Sequence, residues 1–186
     1  KTSGAQILPV TGELVPKVSA PVLAITGSTD HGSSCVATAA TTIQYTITNT
    51  GATASGVAVT SNNAQFVVSG TPTTIAAGGT ATYNVTFTPG SVGTQNATIT
   101  VTSTTSGSNS PTSLLSGIGI NTSPTVTAGA ATVITNNSAT VPGTLTSTGC
   151  TAITVYGVEY SMINNFGNGT GTQVDGSNLS GSAFSA

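Results

Sequence analysis

The stretch "TATYNVTFTP", Thr80 to Pro89, decides the fold. Thr82, Asn84, Thr86 and Thr88 alternate with Ala81, Tyr83, Val85 and Phe87. Side chains of a strand point to opposite faces in turn, so this period of two predicts a strand. The aromatic and β-branched set faces a core, and the threonines and Asn84 face out. "NATITVTST", Asn96 to Thr104, repeats the pattern with Ala97, Ile99 and Val101 inward.

Working outward, the same grammar recurs. "PVLAIT" (21–26) is a short apolar run. "TTIQYTITNTG" (41–51) sets Ile43, Tyr45 and Ile47 on one face and closes with turn chemistry at Asn49, Thr50 and Gly51. Val57 and Val59, then Phe66 and Val68, continue the core, and "SLLSGIGI" (113–120) adds Leu115. About seven short strands with turn signals at roughly 8–12-residue spacing make a β-sandwich pattern. No stretch carries helical periodicity over ten residues or more.

"NTSP" (121–124) reads as a junction. Beyond it, strands are expected over 124–134, 138–147 and 152–160, with Ile153, Val155 and Val158 or Tyr160 as core candidates. Residues 1–20 hold both lysines, Pro9 and Pro16, and read as an extended arm or linker. The expected organisation is an arm over 1–20, one sandwich over 21–121 and a second unit over 122–186.

Composition narrows the function. Charged residues make up 3% of the 186 residues, against about 25% in ordinary soluble domains. There is no Arg, and residues 31–158 contain no Asp, Glu, Lys or Arg. Nucleic-acid binding and basic membrane-surface binding both need clustered Lys and Arg, so both are excluded as expectations. The net charge of −2 and abundant Thr, Val and Ile favour folded strands over disorder. No apolar run is long enough to span a membrane, so no membrane insertion is expected. The N-terminus lacks a signal-peptide pattern, so an exported protein would be represented by a mature or internal piece.

Two family resemblances rest on particular residues. "YTITNTGATASGVAVTS", "QFVVSGTPTTIAAGGTATYNVTFTP" and "GTQNATITVTST" followed by "LLSGIGI" resemble the Ig-like repeats of bacterial surface proteins, a group related to the ASPM/SPD-2/hydin Ig-like domains. "PTVTAGAATVITNNSATVPGTLTSTGCTAITVYGVEYS" and "GTGTQVDGSNLSGSAFSA" resemble the fibronectin type III-like repeats found beside them in large Bacteroidetes surface proteins. The fold class implied is all-β: tandem antiparallel β-sandwiches, Ig-like then fibronectin type III-like, with the second incomplete. Modules of the second kind continue past "GSAFSA" with two more strands. Either a longer protein supplies them, or a neighbouring chain donates a strand to the open groove. "QILPVTGELVPKV" in the arm is apolar enough to act as such a donor.

Catalytic chemistry has little material. His31, the only His, lies in "STDHGSS" and reads as a solvated turn, because adjacent residues on one loop rarely converge as a triad. Glu13, Asp30, Glu159 and Asp175 are too scattered for paired acid–base work or a metal site. No catalytic, cofactor or metal residue is therefore assigned. Gly78-Gly79 and "NNFGNGTGTQ" lack the Lys and helix of a phosphate cradle and read as turns. Sequons occur at Asn84, Asn96, Asn121, Asn136, Asn168 and Asn178, as chance produces in a chain of this composition.

Cys35 and Cys150 fall in loops that tandem sandwiches would turn toward each other. An interdomain disulfide is one reading. Two free thiols, or pairing to other parts of a longer chain, are the alternatives. Tyr156, Tyr160 and Phe166 are the ligand-contact candidates, since Tyr45 and Tyr83 point inward.

The expected function is a non-enzymatic structural module of an extracellular adhesin, stalk or fibre. Its partners would be neighbouring modules or copies of itself, joined by strand donation or end-to-end contacts. A carbohydrate- or cell-surface-binding module is the alternative, and ice binding through threonine arrays a minor one. Fold by itself does not choose among these.

Overall fold

The computed structural model describes residues 19–38 and 42–186, so the expected arm falls outside the described residues except for Ser19 and Ala20. Among the described residues the protein is all-β, with no helix. Ten strands lie before the junction: β1 Leu23–Thr26, β2 Asp30–Cys35, β3 Thr42–Asn49, β4 Ala54–Ser55, β5 Ala58–Ser61, β6 Phe66–Ser69, β7 Thr74–Ile75, β8 Thr80–Phe87, β9 Gly93–Thr102 and β10 Thr112–Ile120. They form two four-stranded sheets, β1-β3-β8-β6 and β2-β10-β9-β5, with β4 and β7 as a two-stranded ribbon. All pairs in this unit are antiparallel except β2 with β10, which run parallel.

The alternation in β8 sets its burial as expected. Tyr83, Val85 and Phe87 are buried, and Thr80 and Thr82 are exposed. Thr42, Thr46 and Thr48 on β3 stand opposite Thr86, Thr82 and Thr80 on β8, and the Thr42 and Thr86 hydroxyls lie 2.8 Å apart. Threonine supplies β-propensity and cross-strand pairing on this wet face without charge. Between the sheets the rings of Tyr45 and Tyr83 stack at 5.3 Å, and those of Phe66 and Phe87 at 4.7 Å. Burial of each such side chain contributes about 1.5–3 kcal/mol.

"STDHGSS" departs from the expected turn. It runs into β2, which begins at Asp30, and His31 is 1% exposed. The ladder slips between Asp30 opposite Ser116 and Ser33 opposite Ile118. Gly32 supplies the extra residue, with φ +70 and its N–H donating to Asp30 Oδ1 at 2.8 Å. This bulge turns His31 into the core, edge-on to Phe66 at 5.3 Å. The Tyr45 hydroxyl donates to the Ser28 carbonyl, and its oxygen lies 3.2 Å from His31 Nε2. Tyr45 has one proton to give, so its oxygen accepts from His31 Nε2–H.

The two buried tyrosines differ in one respect. Tyr83 Oη has no hydrogen-bond partner among the described residues. Tyr83→Phe is therefore expected to be neutral or to stabilise by about 1 kcal/mol, because it removes a buried unsatisfied hydroxyl. Tyr45→Phe is expected to destabilise by about 1–3 kcal/mol, because it removes the hydroxyl that donates to the Ser28 carbonyl and lies against His31 Nε2. Urea titrations of both variants check this pair, and equal losses would contradict it.

The same burial makes the fold sensitive to alkali. Burial pushes the Tyr45 phenol up to about 12. Burial, then the neighbouring Tyr45, push Tyr83 upward too. Both phenols hold their proton more tightly folded than unfolded, so their contribution is complete below pH 10 and is lost as pH rises. Each then removes up to about 1.4 kcal/mol per pH unit above pH 10. Urea midpoints measured from pH 9 to 11 should fall, and Tyr83→Phe should make that fall shallower.

Six strands follow the junction: β11 Thr125–Ala128, β12 Pro142–Ser147, β13 Gly157–Tyr160, β14 Thr172–Asp175, β15 Ser177–Ser180 and β16 Ala183–Ser185. They make a sheet β11-β12-β16-β15 and a hairpin β13-β14. The strands expected over 124–134, 138–147 and 152–160 are present in shortened form. Val155 is 73% exposed and Tyr160 55% exposed, so neither is core, while Ile153 and Val158 are half-buried. The reason is local. β13 starts only at Gly157, where a Cβ would strike the Val174 carbonyl on the paired strand. The buried large side chain here is Phe184, which lies over Gly143 on the neighbouring strand and edge-on to Tyr156 at 5.1 Å.

Candidate functional site

Two features of the structure could carry function: a clamp at the junction and an open groove in the second unit. Cys35 ends β2, where it pairs with Ile120 at the end of β10. Val36 N–H then donates to the Ile120 carbonyl at 3.0 Å, and Ala37 N–H to the Pro89 carbonyl at 2.9 Å. Cys150 follows a tight turn in which Gly149, at φ +62, presses on the junction. A Cβ there would meet the backbone of Thr122, Ser123 and Pro124. Cys150 N–H donates to the Thr122 carbonyl at 2.8 Å. Its Sγ lies 3.6 Å from the Ile120 carbonyl oxygen and 3.5 Å from Thr122 Oγ1.

Cys35 and Cys150 are joined by a disulfide with Cα atoms 5.3 Å apart, within the span such a bond requires. The loop it closes has a sequence separation of 115. The bond and the Cys150–Thr122 hydrogen bond together fix both sides of the junction. Residues 121–130 themselves are exposed.

The groove lies between the β11-β12-β16-β15 sheet and the segment leading into β13. Its apolar wall includes Val126, Leu145, Ile153, Tyr156, Leu179 and Phe184, and its volume is about 440 Å³. A second recess of about 470 Å³ shares Val126, Val155 and Tyr156 and has a polar rim of Glu159, Gln173 and Asp175. The Glu159 carboxylate accepts from Gly169 N–H at 2.8 Å and Gly171 N–H at 2.6 Å, so it ties down the loop between β13 and β14.

Tyr156 and Tyr160 share that second recess, Tyr156 half-buried against Phe184 and Tyr160 exposed. Phe166 lines neither recess. It is half-buried beside Gly171, where it fills space a side chain would need. The three aromatic candidates thus do not form one platform. Among the described residues, no three His, Cys, Asp or Glu side chains converge as a metal site.

Two asparagines outrank the candidates in the number of segments they hold together. Asn49 is 1% exposed. Its Oδ1 accepts from Val22 N–H at 3.2 Å and Gly51 N–H at 3.1 Å. Its Nδ2 donates toward the carbonyls of Ala52, Ile75 and Ala76 at 2.6, 3.2 and 3.1 Å. In the sequence Asn49 reads as a turn residue with Thr50 and Gly51, but it ends β3 on the buried face of Tyr45 and Ile47. Asn109 pairs its amide with both backbone groups of Leu23, at 2.7 and 2.8 Å, and so secures the edge strand β1.

Residues 27–117 match a family model described as the HYDIN/CFA65/VesB-like, Ig-like domain. A search of curated proteins finds no match. Among solved structures, the ASH/PapD-like domain of human CEP192 (PapD-like domain 7) aligns at 14% identity and TM-score 0.42. The alignment covers 66% of this chain and 99% of that one. WR4, a C. elegans MSP family member, aligns at 15% identity and TM-score 0.33, covering 53% of this chain and 97% of that one. The two-sheet unit of residues 27–117 has an Ig-like fold, and in sequence it is similar to the HYDIN/CFA65/VesB-like Ig-like domain.

Proposed function

We propose that the protein is a non-enzymatic structural module of a bacterial extracellular adhesin, stalk or fibre, an Ig-like domain followed by a fibronectin type III-like one. The observation that carries this reading is the clamp at the junction. A disulfide with a sequence separation of 115, reinforced by the Cys150–Thr122 hydrogen bond, stiffens a tandem array and suits an oxidising compartment. The threonine-covered sheet faces supply a wettable surface that is indifferent to salt. The described residues contain no Lys or Arg, so screening has little to weaken.

Low net charge favours association with neighbouring modules or copies of the same chain. The groove between the second unit's sheet and the segment leading into β13 offers apolar surface for a donated strand. Two measurements test the reading. Thiol labelling of intact cells, followed by surface protease treatment, should find Cys35 and Cys150 oxidised and the protein accessible. Reduced thiols in a protected intracellular pool would overturn it. Removal of residues 1–20 should abolish polymers visible by electron microscopy, and unchanged assembly would exclude strand donation by the arm.

A further inference from the structure

We infer that the Cys35–Cys150 disulfide is a load-bearing shortcut that takes the body of the Ig-like unit out of the line of tension. A pull that enters before Cys35 and leaves after Cys150 passes from one sulfur to the other. The backbone between them, residues 36–149, is a side loop of the covalent path. That loop contains β3 to β10 of the first unit and β11 and β12 of the second. It also contains Tyr45, Tyr83, Phe66 and Phe87, the stacked rings of the core.

Only β1 and β2 of the first unit stay in the loaded path. β1 is held by its ladder to β3 and by Asn109, whose amide grips Leu23 at both backbone groups. β2 is held by its parallel ladder to β10. The load leaves β2 at Cys35, its last residue, next to Val36 and Ala37, which are bonded to the Ile120 and Pro89 carbonyls. On the other side, Cys150 is docked on Thr122, so the bond and the junction it bypasses lie side by side. The exposed peptide 121–124 is thereby relieved of tension. This connectivity holds wherever the protein resides. Only its value as a tether rests on the stalk reading.

The test is single-molecule force spectroscopy of the whole chain with handles at its two ends, first oxidised and then with dithiothreitol. Each residue adds roughly 3.5 Å when extended, so full unfolding of the oxidised chain should gain about 400 Å less length than the reduced chain. Reduction of a molecule already under load should release the missing length as a new step. The Cys35→Ser, Cys150→Ser double variant should give the long trace without reductant. If that variant does not fold, the reductant arm on the native chain decides alone. Equal lengths in the oxidised and reduced chains would overturn the inference. A protected intracellular location would overturn the proposed function yet leave this length difference intact, so the two failures are distinguishable.

Discussion

Breaking the Cys35–Cys150 bond should cost the Ig-like unit about 4–5 kcal/mol, the largest effect expected of any small change to this chain. The bond closes a loop with a sequence separation of 115, and in the chain-entropy account a closure of that order adds about this much to the free energy of unfolding by restricting the unfolded chain. With a urea slope near 2 kcal/mol per molar, the midpoint should drop by about 2 M. Tyrosine fluorescence can follow the transition, because Tyr45 and Tyr83 are both in the first unit's core. Cys35→Ser, Cys150→Ser and the double variant should all give the same loss, since each removes one and the same bond. A double variant markedly worse than either single one would show that the sulfurs act through packing. A loss below about 1 kcal/mol would mean that the unfolded chain is not constrained by the bond at all.

Asn49→Ala should cost about 3–5 kcal/mol. The side chain serves two backbone N–H groups and reaches three carbonyls, drawn from three separate segments, and it is buried. Each buried backbone group left without a partner costs about 1–3 kcal/mol. Asn49→Asp separates hydrogen bonding from shape. A carboxylate can still accept from Val22 and Gly51, but it turns a lone pair toward the Ala52, Ile75 and Ala76 carbonyls. Asp should therefore be at least as damaging as Ala, although it is nearly isosteric. Urea titration of both variants decides this. An Asp variant close to the native protein would show that the three carbonyl contacts contribute nothing.

Much of the first unit was legible because strand periodicity is a local property. Tyr83, Val85 and Phe87 are buried where "TATYNVTFTP" puts them, and Ala97, Ile99 and Val101 follow the same rule. His31 was not legible. Its inward turn depends on a bulge against β10, a strand more than eighty residues away in sequence. A window centred on "STDHGSS" sees only turn-forming residues. Asn49 was not legible either: beside Thr50 and Gly51 it reads as a turn residue, whereas it is buried and its partners run from Val22 to Ala76.

The second unit was less legible for a different reason. Its strands are short, and its apolar residues are divided between the sheet and the segment before β13, so Val155 faces solvent despite its place in the alternation. By itself the sequence determined the all-β class, the buried face of the long strands and the near absence of charge, because each is fixed by neighbouring residues or by composition. Only the tertiary structure decided the parallel β2–β10 ladder, the burial of His31, the five-contact role of Asn49 and the joining of Cys35 to Cys150. Each of those depends on which distant strands pair and in what register, and no local pattern encodes that.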